Sequence, residues 1–245
     1  MQPQLYEVEH GNCPYLSERT WVTHSFQLES IPESVYEAML ADGWRRSGTS
    51  VYQNHCPGCG CCTPARVPVN QFRPSKSQRR TLRRNADVTV EVVAPAADAE
   101  SFGLYQRYVR SRHTPAAHGT SADAPDASEA ITPEQFDKFL VTSPVHTRAM
   151  RYHAENRLVG IGWIDVLPNG LSSVYFAFDP DENCRSLGTY SIMKEIELAR
   201  DLGKEWLYLG FYVPNSPKMA YKGAFRPREF AVNGAWTRDE GEIVC

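Results

Sequence analysis

The sequence predicts an α+β fold in two parts. Residues 1–96 form a smaller, cysteine-bearing N-terminal part, and residues 97–245 a larger mixed domain. Three observations carry this. The stretch Val174 to Phe211 reads strand–helix–strand, two hairpin patterns run directly into it, and a cysteine cluster with a basic helix lies upstream of a short joint at Ala94 to Asp98.

The strand–helix–strand unit is the most explicit. Val174 to Phe178 is an apolar and aromatic run of strand length, broken by Asp179-Pro180-Asp181. Ser186 is a suitable N-cap, and Ile192, Met193, Ile196, Ala199 and Leu202 recur at helical spacing. Gly203 stands where a left-handed cap ends a helix, and Trp206 to Phe211 is apolar again. Such a unit crosses over right-handed into a parallel pair.

Ahead of it, Thr20 to Phe26 predicts a strand, Pro32 to Asp42 a helix stopped by Gly43, and Trp44 to Tyr52 an extended segment. Ser75-Lys76-Ser77-Gln78 is a capping box that opens a short helix over Lys76 to Arg84. Val88 to Val93 reads as a strand and Glu100 to Arg112 as a helix. Thr114 to Ala130, rich in Ala, Ser, Asp and Pro, predicts a mobile loop. A second capping box, Thr132-Pro133-Glu134-Gln135, opens a helix that buries Phe136, Phe139 and Leu140. Val145 to Tyr152 and Arg157 to Val166 pair as one hairpin, and Pro168-Asn169-Gly170 turns into the next strand.

A chain of 245 residues that is 42% apolar and 11% aromatic has enough material for a sizeable core. Its net charge of −3 says nothing about partners, but the distribution does. Arg66 to Arg84 holds seven basic residues and no acidic one, which leaves the rest of the chain at about −10. On the 76–84 helix Lys76, Arg79, Arg80, Arg83 and Arg84 fall largely on one face, the pattern of a grip on phosphates without sequence readout. A solvated surface helix usually mixes in acidic residues; this one has none. The first ten residues lack a basic and apolar leader, and no run approaches the roughly 18 apolar residues of a membrane helix. A cytoplasmic protein without membrane contact is expected.

Four of the seven cysteines fall between Cys56 and Cys62. The spacing Cys56-x2-Cys59-x2-Cys62 aims thiolates at one ion, and Cys13, 43 positions before Cys56, is the candidate fourth ligand. Zinc and an iron–sulfur cluster are equally compatible; a set of reduced, buried cysteines is the alternative. At the crossover helix, Ser186, Leu187, Gly188 and Thr189 place unpaired N–H groups and the positive end of the helix dipole beside a residue without a side chain, a favourable seat for a phosphate. Beyond the second strand, Lys218, Tyr221, Lys222, Arg226 and Arg228 make a dense cationic and aromatic segment. A phosphate seat beside that segment suggests a phosphorylated acyl donor.

The order of helix, helix, antiparallel meander, crossover helix and strand resembles the Gcn5-related N-acetyltransferase architecture. That resemblance implies that the two strands flanking the crossover helix splay apart to admit the donor. Coenzyme A enzymes of that fold read their donor with Arg/Gln-x-x-Gly-x-Gly/Ala. Here Arg185-Ser186-Leu187-Gly188-Thr189-Tyr190 ends in a tyrosine, whose ring is expected to crowd a pyrophosphate.

CPYL at 13–16, HCPGC at 55–59, SQRR at 77–80, YFAFDPD at 175–181, SLGTYSI at 186–192, KEIELAR at 194–200, WLYLGFYV at 206–213 and FRP at 225–227 resemble the bacterial leucyl-tRNA–protein transferases. These are the aspartate/glutamate leucyltransferases, relatives of the eukaryotic arginyl-tRNA–protein transferases. The blocks are dispersed over Cys13 to Glu229. The resemblance implies transfer of leucine, or arginine, from aminoacyl-tRNA to the α-amino group of proteins with N-terminal Asp or Glu, which marks them for N-degron degradation. The chemistry needs no cofactor: an α-amino group with a pKa of about 7.7–8.0 is partly neutral at pH 7 and attacks an activated ester. Under this reading Tyr175 and Tyr190 line the acyl centre and Asp179 holds the incoming ammonium. Ser186 to Thr189 and the 76–84 helix hold the aminoacyl-tRNA, and Lys218, Tyr221, Lys222, Arg226 and Arg228 meet the acidic N-terminus. A coenzyme A-dependent N-acetyltransferase and a metal-stabilised RNA-binding module are the competing expectations.

Overall fold

The computed structural model describes residues 4–113 and 131–238, so the 114–130 segment and Cys245 lie outside the described residues. Two sheets organise the chain. The smaller is antiparallel, built from β1 (Tyr6–Asn12), β2 (Thr20–Gln27), β3 (Trp44–Ser47) and β4 (Ser50–Asn54) in the order β1-β2-β4-β3. Helix α1 (Glu33–Ala41) covers it, burying Tyr36 and Leu40 with Ile31 and Val51.

The larger sheet has eight strands. They are β5 (Thr63–Pro68), β6 (Thr89–Val93), β7 (Thr147–Ala154), β8 (Arg157–Val166), β9 (Gly170–Phe178), β10 (Trp206–Tyr212), β11 (Glu229–Val232) and β12 (Ala235–Thr237). Their spatial order is β12-β11-β5-β10-β9-β8-β7-β6. The expected division at residue 96 is therefore not a boundary between sheets. β5 and β6, from the N-terminal part, pair antiparallel with β10 and β7 of the C-terminal part. β5 reads Thr-Pro-Ala-Arg-Val-Pro, and its two prolines hide a strand that the sheet buries on both sides.

Helices cover both faces of this sheet. On one face, α2 (Lys76–Arg84) and α5 (Leu187–Asp201) pack over Val67, Phe72, Tyr152, Leu171 and Leu207. On the other, α3 (Ala99–His113) and α4 (Pro133–Phe136), which runs on into a π-helical turn at Asp137–Val141, enclose Leu104, Tyr105, Trp163 and Ala177. Both capping boxes form: the Ser75 hydroxyl accepts from the Gln78 backbone N–H and the Gln78 side-chain Oε1 accepts from the Ser75 N–H, with Thr132 and Gln135 repeating the exchange.

Strand β9, helix α5 and strand β10 form the expected parallel crossover, and Gly203, at φ 67°, ends α5 in the left-handed region. The two strands pair only from Trp206 opposite Gly170 to Tyr208 opposite Ser172. Beyond that point they part. β10 bulges at Gly210, where its pairing with β5 shifts register, and β9 continues to Phe178 beside β8.

Candidate active site

Where β9 and β10 separate, a cavity of about 530 Å³ opens. Its wall brings together residues far apart in sequence: Tyr15, Arg112, Tyr175, Gly188, Lys218 and Lys222 are among them. β9 supplies one side with Ser173 to Phe178, the start of α5 supplies another, and the short helix α6 (Pro217–Ala220) with the 3-10 turn Tyr221–Ala224 closes a third.

The α5 start differs in detail from its expected form. Ser186 lies in the left-handed region (φ 57°) and its side chain makes no cap. The first N–H groups of a helix have no intrahelical partner, so a start without a side-chain cap leaves them for a ligand. Ser186, Leu187, Gly188 and Thr189 all line the cavity. A Cβ placed on Gly188 meets nothing within 4 Å, so that position faces open space.

Cationic groups gather at the opposite side. Lys218 donates to the Pro14 carbonyl oxygen at 3.0 Å, which ties α6 to the turn bearing Cys13. Burial, then the neighbouring Arg112, lowers the pKa of its ammonium. Arg112 lies over the rings of Tyr108 (5.0 Å) and Phe178 (5.6 Å). Lys222 donates to the Phe211 carbonyl oxygen at 3.0 Å, on the strand that leaves the sheet. Tyr221 is 44% exposed at the rim, and the crowding around its hydroxyl, followed by the nearby Glu195, raises its pKa. Tyr175 stands among aromatic neighbours, edge-on to Phe139 at 5.4 Å and Tyr105 at 5.9 Å.

Several residues expected at the site are elsewhere. Asp179 is 3% exposed and accepts from Arg157 at 2.6 Å and Arg107 at 3.4 Å, while its side chain also caps the 3-10 segment Pro180–Arg185. Two guanidinium partners and a turn N–H occupy it, so it holds the chain reversal rather than an incoming ammonium. Tyr190 points to the opposite face of α5, into the core, where its hydroxyl donates to the Val88 carbonyl oxygen and its ring meets Tyr152 edge-on. It lines no part of the cavity, and its ring cannot crowd a phosphate there. Arg226 and Arg228 lie in a separate cleft with Gln71, Arg73 and Arg238. Arg228 is buried over Phe230, at 5.3 Å.

The basic face of α2 is exposed at Lys76, Arg79, Arg80, Arg83 and Arg84. Its C-terminal end abuts the α5 entry. Arg84 donates to the Cys184 carbonyl oxygen and Asn85 to the Arg185 carbonyl oxygen (2.9 Å), while Arg185 pairs with Asp87 at 2.8 Å. The helix thus leads a row of positive charge towards the start of α5.

Cys13, Cys56, Cys59 and Cys62 are free thiols. Cys13 sits in the β1–β2 connection, and Cys56 exchanges hydrogen bonds with the Val22 backbone of β2. Burial, followed by the proximity of Cys13, Cys56 and Cys59, pushes the Cys62 thiol up to about 12. The other three thiols are near enough to act on Cys62, but no three of the four sulfurs lie within 4.8 Å of one another. Among the described residues, the one group whose ligand atoms all lie within 4.8 Å of one another is Glu7, His24 and His55, beside them on the small sheet. Tyr15, Tyr108, Arg112 and Glu195 escaped the sequence reading. Tyr108 and Arg112 share a face of α3 at i, i+4 spacing, the one signal that marks them.

Family descriptions match both parts of the chain. The arginine-tRNA-protein transferase N terminus matches residues 11–80 and the corresponding C terminus residues 100–232. An aspartate/glutamate leucyltransferase of Pseudomonas fluorescens (strain Pf0-1) is 39% identical over 235 residues, 95% of each chain. One from Pseudomonas savastanoi pv. phaseolicola is 39% identical over 234 residues, again 95% of each. Among solved structures, FemX superposes with a TM-score of 0.44 at 6% identity, covering 85% of this chain and 79% of that one, too distant to carry functional weight. Family matches on both parts and relatives aligned almost end to end agree: the chain belongs to the arginine-tRNA-protein transferase family.

Proposed function

We propose that this aminoacyltransferase moves leucine from leucyl-tRNA to the α-amino group of proteins that begin with Asp or Glu. The cavity between β9 and β10 carries the reading. It joins an uncapped helix start, fit for the phosphate of a tRNA 3′ end, to Arg112, Lys218 and Lys222, fit for an acidic side chain. Splayed strands with the donor at the crossover-helix start are the arrangement of Gcn5-related acyltransferases, and the C-terminal part is read as that fold. The α2 face tracks the tRNA backbone as positioning charge.

The ester is already activated, so the protein's task is alignment. Holding amine and ester together supplies on the order of 7–11 kcal/mol. The amine nitrogen attacks the leucyl carbonyl carbon, the C–O bond to the ribose breaks, and the ribose oxygen leaves with a proton. The product carries an N-terminal leucine and enters N-degron degradation.

Arginine is the second donor considered, because the family description names it, whereas the curated relatives with 39% identity name leucine. Cys13, Cys56, Cys59 and Cys62 would be the residues to hold a zinc ion or an iron–sulfur cluster, which would brace the small sheet and the Tyr15 turn and supply no chemistry to the transfer.

The test is purified protein with leucyl-tRNA or arginyl-tRNA and peptides beginning Asp, Glu, Asn or Ala, read by mass. Leucine added to the Asp and Glu peptides alone is expected, sensitive to ribonuclease. Acetylation from acetyl-coenzyme A, or no transfer from either tRNA, would overturn the reading.

A further inference from the structure

One buried acid at this site has no role yet. Glu195 lies on α5 and is 1% exposed, and its Oε2 has no hydrogen-bond partner. Helical spacing puts Gly188, Ser191, Ile192 and Glu195 on a single face. The first three line the cavity, and Glu195 follows one turn further along α5, buried directly behind the wall to which Ser173 and Lys222 contribute. Its immediate surroundings agree. Ser173, on the cavity wall of β9, hydrogen-bonds to its side chain, and Lys222, on the cavity wall beyond β10, lies close enough to favour its charge. Tyr221 at the rim and Tyr152 of β7 on the core side both feel its charge. Its Oε1 is 3.9 Å from where a Gly162 Cβ would stand on β8.

A core position at this depth ordinarily takes Leu or Met, because burying a carboxyl with an unpaired oxygen is costly. The residue makes sense if a cation arrives. Among the described residues, the charged side chains that line the cavity are Arg112, Lys218 and Lys222, all positive, and these suit the acidic side chain of a substrate but repel its α-ammonium. We infer that Glu195 is the catalytic residue that receives the α-ammonium of the acceptor protein and takes its proton.

The step balances. The ammonium gives one proton to the Glu195 carboxylate and becomes the neutral amine. Its lone pair forms the new C–N bond as the ester C–O bond breaks, a second nitrogen proton leaves with the ribose oxygen, and Glu195 returns its proton to solvent through the cavity. Burial lifts the Glu195 pKa to about 8, near the 7.7–8.0 of an α-amino group, so the proton moves between them with little bias.

This inference rests on the reading of the cavity as the acceptor site, and its test separates the two. Wild type and Glu195→Gln are compared for binding of an Asp-initiated peptide with a free amino terminus and of its N-acetylated form. They are also compared for the single-turnover rate with leucyl-tRNA. Wild type is expected to bind the free amine at least about tenfold more tightly, with the preference lost in Glu195→Gln. The single-turnover rate of the variant should fall on the order of 100-fold, with leucyl-tRNA binding retained and the melting temperature no lower than that of wild type. Equal binding of both peptides by wild type, or a wild-type rate in Glu195→Gln, overturns the inference. The peptide comparison needs no transfer, so it stands even if the donor proves to be something else.

Discussion

Arg46 and Asp165 form an ion pair whose side chains are both fully buried, Nε to Oδ2 at 2.8 Å and Nη2 to Oδ1 at 2.5 Å. It joins β3 of the small sheet to β8 of the large one, and the Thr147 hydroxyl adds a third bond to the same carboxylate at 2.7 Å. Burial alone would lower the Arg46 pKa, but the charge and hydrogen bonds of Asp165 outweigh it. Glu37 makes a parallel join, accepting from the Asn169 N–H (3.1 Å) and the Tyr208 hydroxyl (3.2 Å). Asp165→Ala strands a buried guanidinium and should destabilise the protein by roughly 3–5 kcal/mol. Denaturant unfolding monitored by tryptophan fluorescence checks it. A loss below about 1 kcal/mol would mean that the two sheets do not depend on this join.

Gly188 separates folding from donor binding. Because its added Cβ meets no protein atom within 4 Å and its φ is not positive, Gly188→Ala is sterically free in the unliganded protein. Replacing a helical glycine by alanine even favours the helix, by about 0.5–1 kcal/mol. The melting temperature should hold or rise slightly while the KM for aminoacyl-tRNA increases several-fold. An unchanged KM would place the donor away from the α5 start.

Much of this site was legible before the fold was. Ser186 to Thr189, Tyr175, Lys218, Tyr221 and Lys222 flank one crossover unit, so a local pattern assembles them, and all line the cavity. What could not be read lies across the sheet. β5 carries prolines that argue against a strand, yet it pairs with β10 through residues far along the chain, from Trp206 opposite Pro68 to Tyr212 opposite Thr63. Arg112 and Tyr15 reach the cavity only because α3 and the β1–β2 turn pack there. Tyr190 and Asp179 lie within the motif blocks, but helix phase turns the first inward, and Arg107 and Arg157 claim the second. Periodicity placed Tyr190 on α5 without saying which face the cavity would take.

Selectivity for acidic termini should reside in the cationic side of the cavity. Lys218→Ala removes a charge that burial and Arg112 already strain, and Arg112 remains to hold the site's sign. Loss of a charge-assisted contact is worth about 1.5–3 kcal/mol, which corresponds to roughly a 10- to 150-fold fall in kcat/KM for Asp-initiated peptides. Arg226→Ala, in the separate cleft, should leave that ratio within twofold. Competition between Asp- and Asn-initiated peptides, read by mass, reports both. A selectivity loss in Arg226→Ala with none in Lys218→Ala would move the recognition site to the second cleft.

The pH dependence of stability offers a readout free of substrates. Glu195 has its pKa lifted by burial from an ordinary value of 4.5 to about 8. An acid whose folded pKa exceeds its unfolded one contributes its stability in full below the unfolded value and loses it as pH rises through the folded value. The window is therefore pH 4.5 to 8, with a slope of about 1.4 kcal/mol per unit and a total on the order of 5 kcal/mol. Glu195→Gln keeps the shape but does not titrate, so the variant should gain on wild type steadily across this window and stay level above it. Subtracting the two unfolding free energies at each pH cancels the other titrating groups, provided they remain unperturbed. A difference that stays flat from pH 5 to 8 would mean that Glu195 is already ionised in the folded protein at neutral pH, with its charge met by Lys222, so that its proton affinity is not matched to that of an α-amino group.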